Sequence, residues 1–401
     1  MQRGCCSVVA GVHSIERKWR MKKVLVTAGP VHAYLDPVKI LTNRFKGRMM
    51  MELAEHLATD NDVTVVCSLD TIDRYAKETA HRPGPFLEVV HHDGFMDYMA
   101  KVNGMAKDFD AVILGAAVAN LIPAAPWQIK FPSHNYKVGE IINIPFMIAP
   151  RVIDQVKKNM KPGAHLFGFK LLKGQPFDEL IQSSYGVLRE SGATVVFAND
   201  PTLGLDKKFA VTKERAVIPL MLNDVPEFIM NIMNDEYYRS EFVPGTDSYS
   251  DSWAAAERAL DYYRDKFVEV EDGMVFGTVA FRFSRKDGGF GFVTTARGKR
   301  ETDEMAVVAD VNHGRKVVSI TALTGTTRKA TLNAPLMARI FERNPSVKGI
   351  LHFHKQEMGL VTQPWAPPGT VRDTERDVET SFNVDGHGCY LLLGEKGEVM
   401  R

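Results

Sequence analysis

The chain has 401 residues, 45% hydrophobic and 25% charged, with 50 basic side chains against 49 acidic ones and a net charge near +1. That length is about twice an ordinary domain and the composition is that of a globular protein, which excludes a single small domain, a disordered chain and a fibre. Without a basic run there is no footprint for nucleic acid, and no apolar stretch reaches the roughly 18 residues that cross a bilayer, so neither nucleic acid nor a membrane is expected as a partner. The four cysteines, Cys5, Cys6, Cys67 and Cys389, form neither a disulfide framework nor a paired CxxC spacing, and a reducing, cytoplasmic setting is expected.

Residues 1–20 carry Arg3, Arg17, Lys18 and Arg20 against Glu16 and read as an upstream extension before Met21, with an organelle-targeting segment as the alternative. The run KKVLVT at 22–27 predicts a buried strand ended by Ala28, Gly29 and Pro30. A helix over 48–59 sets Met51, Leu53, Ala54 and Leu57 on one face, and 63–67 supplies the next strand, completing a βαβ unit. Further strands are expected at 111–114, 165–169 and 194–197, and helices at 97–107, 148–159 and 177–191. This alternation predicts an α/β domain over 22–235, a Rossmann-like parallel sheet with helices on both faces. The polar, turn-rich segment 236–252 reads as a linker. A second α/β domain is expected over 253–401: a helix at 253–266, strands at 274–283, 290–295, 305–309 and 316–321, a helix at 334–343, a strand at 348–353 and a closing hairpin at 388–400.

Open parallel sheets bind ligands at the carboxyl ends of their strands, where loops leave backbone N–H groups facing outward. Three loops of the first domain have suitable chemistry. VTAGP at 26–30 is followed by Asp36, Pro37 and the stretch Thr42 to Arg48, whose glycines permit close approach and whose Lys46 and Arg48 suit an anion; a simple strand-to-helix turn is the alternative. Leu114 to Lys130 has a run of small residues and then a lysine. FGFKLLKG at 167–174 ends another strand and is followed by FANDPT at 197–202.

In this order, VTAGPxxxxxDPV, LTNRFKG, GAAVAN, QIK, GFKL and AND resemble the motifs of phosphopantothenoylcysteine synthetase, the phosphopantothenate-cysteine ligase, over about 22–235. The resemblance implies that a nucleoside triphosphate, CTP or ATP with Mg2+, activates the carboxylate of 4'-phosphopantothenate as an acyl-nucleotide, and that the cysteine amine attacks it. Such chemistry rests on positioning and charge stabilisation. It further implies that Asn43 contacts the intermediate, Gly29, Ala116, Ala117 and Asn120 line the nucleotide, Lys130 meets its phosphates, Phe169 packs near the base and Lys170 follows in a GFKL form like that of eukaryotic members. Three departures stand out: Arg44-Phe45-Lys46 replaces a serine pair, Asn120 replaces an aspartate, and Val31-His32-Ala33-Tyr34 replaces a TREP-like stretch.

In the second domain, His352 and His354 fall in GILHFHK with the period of two that puts both on one face of a strand, and His387 follows in a glycine-flanked turn. Three imidazoles at strand ends suit zinc or another divalent metal with an open position; unrelated histidines are the alternative. GTVAFRF, FVTTARGK, the stretch 330–354, PPGT and GHGCYLLLG resemble class II aldolase and adducin-like domains over about 253–398. The resemblance implies a zinc Lewis acid on three histidines. Asn333, however, stands where the enzymes carry a glutamate, and Thr278 where they carry an asparagine. An amide takes up no proton at neutral pH, so the usual base is missing. Thr294, Thr295 and Gly298 offer an anion cradle or form a plain polar hairpin. Both resemblances imply a homo-oligomer. A ligase with a fused metal-binding domain is the leading expectation; a metal-dependent aldolase or epimerase with a nucleotide-binding relic, and a non-catalytic binding or assembly protein, are the alternatives.

Overall fold

The computed structural model describes residues 21–79, 87–245, 247–269, 273–301, 303–323 and 328–401. The N-terminal extension expected at 1–20 lies outside them, as do Cys5 and Cys6. The described cysteines, Cys67 and Cys389, are buried and free.

Eight strands make a mostly parallel sheet: β1 (Lys23–Thr27), β2 (Asp62–Cys67), β3 (Leu87–His91), β4 (Ala111–Leu114), β5 (His165–Leu171), β6 (Val195–Asn199), β7 (Lys207–Thr212) and β8 (Val217–Met221). β1, β2 and β3 run parallel, with Lys23 opposite Asp62 and Val63 opposite Leu87. β5 and β6 are also parallel, whereas β7 and β8 continue from β6 antiparallel, as a hairpin. The interleaved helices are α1 (Arg48–Leu57), α2 (Leu69–Thr79), α3 (Gly94–Met105), α4 (Val152–Asn159), α5 (Phe177–Ser191) and α6 (Val225–Asn234). α1 buries Met50, Met51, Leu53, Ala54 and Leu57, the stripe that 3.6-residue periodicity predicts.

The second sheet has ten strands. Nine lie on one path in the order β9-β13-β12-β11-β10-β14-β17-β16-β15: β9 (Arg239–Val243), β10 (Thr278–Ser284), β11 (Phe290–Thr295), β12 (Met305–Asn312), β13 (Val317–Thr321), β14 (Gly349–Phe353), β15 (Val361–Gln363), β16 (Phe382–Val384) and β17 (Gly388–Leu393), with β18 (Val399–Met400) on β17. Helix α7 (Ser250–Tyr262) buries Ala256, Ala259 and Leu260 in a core with Val279, Phe283, Val293 and Leu351. Helix α8 (Ala334–Arg343) begins at Asn333, its N-cap, and is buried along most of its length.

The segment 236–252 differs from a plain connection: it holds β9, which pairs parallel with β13 from Arg239 opposite Val317 to Val243 opposite Thr321, and the start of α7. β9 has a neighbour on one side only and its residues are exposed or half-buried, so it carries no apolar alternation to mark it. The chain forms two compact units, one of Met1–Ala111 with Ala116–Ile148, the other of Val112–Gly115 with Ala149–Arg401. Residues 149–235 and 253–401 therefore share a unit.

Candidate functional sites

The first site grows from the end of β1. Thr27 is fully buried and its hydroxyl accepts the Ala116 N–H at 3.1 Å, while the Gly29 carbonyl accepts the Ala117 N–H at 2.9 Å. The Asn43 amide nitrogen donates to the carbonyls of Ala117 and Val118, at 3.0 and 2.9 Å. Gly29, Asn43, Ala116 and Ala117, named from separate motifs, are thus drawn into one cluster. Gly47 caps α1 with φ +87°, and a Cβ there would lie 2.5 Å from the Gly29 nitrogen; only glycine permits this backbone-to-backbone approach. Lys46 and Arg48 flank it and are exposed, Arg48 pairing with Glu52 at 2.8 Å.

Asp36 fastens a second loop. Its buried carboxylate accepts N–H bonds from Val38, Lys39 and Phe131 and pairs with the Lys39 ammonium at 3.0 Å. Burial works to raise its pKa, but these hydrogen bonds prevail and hold it well below the ordinary carboxylate range. Lys130, next to Phe131, and Asn120 are exposed. A cavity of about 860 Å³ opens beside Asn43, lined also by His32, Thr42, Arg44, His92 and Lys101. His92 is buried with neither ring nitrogen hydrogen-bonded, and burial pushes its pKa down to about 4. Motif reading did not single out His92 or Lys101, since neither belongs to a stretch that marked the loops.

In the other unit, Phe169 stacks on Phe197 with ring centroids 5.0 Å apart, and Lys170 is half-buried, its carbonyl accepting the Asn199 amide at 2.8 Å.

The second site is a histidine cluster in that same unit. His352 and His354 leave one face of β14, and His387 arrives from the turn before β17, whose pairing sets Phe353 opposite Cys389. One ring nitrogen from each lies within 4.8 Å of the others. His352 is fully buried; its Nδ1 is 2.9 Å from the Cys389 carbonyl oxygen, which fixes Nδ1 as the protonated donor and leaves Nε2 as a lone pair with no protein partner. The Tyr390 ring stacks on it at 4.3 Å and is itself stacked on Phe382. Burial pushes the His352 pKa down to about 4, with nearby Lys299 and Arg376 adding to this and the Cys389 hydrogen bond opposing it. Burial and the neighbouring imidazoles hold His354 and His387 well below the ordinary value too. All three rings are therefore neutral at pH 7, the state in which imidazole binds a metal. An oriented lone pair, three converging nitrogens and a carbonyl that holds the tautomer fit a divalent ion such as zinc.

Around the cluster, Thr278 faces His352 across β10 and β14, with its hydroxyl 3.4 Å from that of Thr331. Asn333 is buried with its Oδ1 unpartnered, as is the Thr295 hydroxyl. The Thr294 hydroxyl donates to the Val279 carbonyl at 2.7 Å. Lys299 is buried, its ammonium donates to the Gly277 carbonyl, and burial lowers its pKa to about 8. Its place in a glycine-flanked turn was the one signal that could have marked it beforehand.

Among the described residues, no helix is long and apolar enough to cross a membrane. The chain is 28% identical over 180 residues to the coenzyme A biosynthesis bifunctional protein CoaBC of Thermococcus kodakarensis, an alignment covering 44% of this chain and 41% of that protein. The chain therefore spans less than half the length of this curated relative. Among solved structures, a DNA/pantothenate metabolism flavoprotein from Streptococcus pneumoniae is similar at 21% identity, covering 53% of this chain and 98% of that one, with a TM-score of 0.45. An aldolase II superfamily protein from Pseudomonas syringae is similar at 13% identity, covering 37% and 68%, with a TM-score of 0.28. The family model described as the DNA/pantothenate metabolism flavoprotein C-terminal domain matches residues 19–226, just over half of the chain, and the chain belongs to that family.

Proposed function

We propose that the chain is a phosphopantothenate-cysteine ligase with a fused metal-binding domain. The observation that carries the ligase reading is the family match over 19–226 together with the cluster in which Gly29, Asn43, Ala116 and Ala117 meet. Nucleotide-dependent amide formation needs an anion cradle, a positioned carboxylate and exclusion of competing geometry, and small residues with backbone N–H groups supply these. In this reading the Asn43 amide nitrogen is committed to the loop at 117–118, so its carbonyl oxygen is the group left for the acyl-nucleotide. Lys130, Lys46 and Arg48 are exposed cations for phosphates, Phe169 packs against the base and Lys170 assists, with CTP or ATP and Mg2+ as co-substrate. Pyrophosphate release from the purified chain, with 4'-phosphopantothenate, cysteine and either CTP or ATP with Mg2+, tests it. Release that needs nucleotide and 4'-phosphopantothenate and turns over only when cysteine is present, with the ligated product seen by mass, is expected; no release with either nucleotide rejects the ligase.

The second site is read separately, on the three neutral histidines and the unpartnered Nε2 of His352. A divalent ion bound there supplies Lewis acidity to an oxygen of the substrate. The protein's own part is to hold three neutral donors and exclude water: Cys389 fixes the His352 tautomer, Tyr390 covers its face, and Asn333 and Thr295 present unpartnered polar atoms within the same fold. Because Asn333 cannot accept a proton, a carboxylate-based aldolase step has no base at that position. A metal-dependent lyase or epimerase is the second reading, supported by the same cluster. It predicts turnover that requires metal and no nucleotide.

A further inference from the structure

Among the described residues, geometry sets two cations on the elements packed around the imidazoles: Lys299, tied to the Gly277 carbonyl beside Thr278, which faces His352, and Arg215, in the hairpin docked on Gly386, directly before His387; Arg376 is the third cation acting on them. A divalent ion on three neutral ligands keeps its full charge, and cations around it make that charge harder to hold. Such a site is completed by a ligand that brings negative charge. Two of the three cations are already engaged. The Lys299 ammonium is tied to the Gly277 carbonyl, and Arg376 pairs through Nε with the buried Asp373 at 2.8 Å and donates to the Pro364 carbonyl, leaving Nη2 over. Arg215 is different, because its Nε and Nη2 are both buried with no hydrogen-bond partner.

The position of Arg215 is unusual in three ways. It sits in the turn between β7 and β8, in the ligase-like part of the sequence, far in the chain from the histidines. That turn is nonetheless docked beside them: the Val217 N–H donates to the Gly386 carbonyl at 2.8 Å, and a Cβ on Gly386 would lie 2.2 Å from the Val217 oxygen, directly before His387. Arg215 also has φ +58°, a left-handed conformation that an arginine adopts at a cost and that glycine or asparagine would fill more easily. Finally, its guanidinium lies 4.2 Å over the Tyr185 ring, which fixes the plane of the fork while leaving its edge free.

We propose that Arg215 is the anion-recognition residue of the histidine site, and that this site takes a small molecule bearing a carboxylate or phosphate group. The planar fork matches either group bidentately, and both supply the negative charge the site lacks. The inference rests on the metal-binding reading of the cluster, and adds that the site is completed by a residue from the other half of the sequence.

The test uses the full-length chain loaded with Co2+, whose visible absorption reports the metal, titrated with inorganic phosphate and, separately, with glycolate. Calorimetric titration of the same two anions into the metal-free chain runs alongside. Arg215→Gly is the informative variant because it relieves the left-handed backbone; a merely structural arginine predicts a lower melting temperature, whereas a binding arginine predicts stability within a few degrees of the parent. Arg215→Lys keeps the charge and loses the fork. Binding of one anion by the parent, weakened about 10- to 100-fold in Arg215→Gly and less in Arg215→Lys, with Co2+ uptake unchanged, is the expected result. The tighter anion identifies the group recognised. Equal binding by parent and Arg215→Gly, or no binding of either anion by the parent, overturns the proposal. Failure to take up Co2+ while anion binding to the metal-free chain still depends on Arg215 rejects the metal reading and leaves the anion site standing.

Discussion

Asp235 follows α6 at the end of the ligase-like half, and its carboxylate, 3% exposed, meets Arg372 in two parallel hydrogen bonds, Nε to Oδ1 at 2.9 Å and Nη2 to Oδ2 at 2.7 Å. Around this pair the Tyr238 and Val371 N–H groups donate to the Gly369 and Glu236 carbonyls, and Trp365 stacks on Phe228 of α6 at 5.7 Å. Asp235→Ala strands the Arg372 guanidinium, whose remaining contact is a 3.4 Å bond to the Trp365 carbonyl. Breaking a buried pair in this way costs about 3–5 kcal/mol. Arg372 is 24% exposed, so water recovers part of the loss and about 2–3 kcal/mol is expected. In urea unfolding followed by tryptophan fluorescence this lowers the midpoint by about 1 M. Arg372→Ala alone leaves a buried carboxylate and costs at least as much. The double variant removes both charges and is therefore milder than the sum of the two singles. Strict additivity, or an unchanged midpoint in Asp235→Ala, would refute the claim that this pair couples 149–235 to 253–401.

His352→Ala is expected to abolish stoichiometric zinc, read by elemental analysis, while nucleotide-dependent pyrophosphate release persists; equal metal in variant and parent rejects the cluster as the metal site. Lys130→Ala removes an exposed cation from the phosphates and is expected to lower the ligase kcat/KM about 10-fold or more, with folding unchanged because the side chain is exposed; unaltered kinetics discard the role. Lys299 has a pKa lowered to about 8 by burial, so between that value and its unfolded value near 10.4 the native chain binds fewer protons and stability rises with pH. Below about pH 8 the lysine is charged in both states and the burial penalty is felt in full. Lys299→Met should therefore be more stable than the parent at pH 7, by up to about 3 kcal/mol, with the difference shrinking as pH rises to 10. A pH-independent difference between the two chains contradicts the assignment.

The meeting of Gly29 with Ala116 and Ala117 was legible because these residues follow directly on apolar strands, whereas Asn43 lies far along its loop. A parallel strand announces itself by its buried run, and where it ends, glycines and small residues mark a ligand-facing loop, as at Gly29 and Ala116–Ala117. The pairing of His352 with His354 followed in the same way from the two-residue period of β14. Strands whose sides are half exposed left a weaker trace. β9 reads as polar linker because its single neighbour buries little of it, and β8 went unmarked with only Ile218 of its five residues buried; β7 went unmarked although most of it is buried.

Local sequence by itself determined the α/β class, the buried strands that end in the ordered loops and the family to which those loops belong, since each depends on residues close together in the chain. Tertiary structure alone decided what converges. His387 joins the other histidines because β17 pairs with β14 in one register, and a slip of one residue would turn its neighbours to the opposite face. The hairpin that carries Arg215 lies beside the His387 turn because, more than a hundred residues earlier in the chain, its β8 strand docks on Gly386. Contacts of that separation arise from the packing of whole elements, and no periodicity in the amino-acid sequence encodes them.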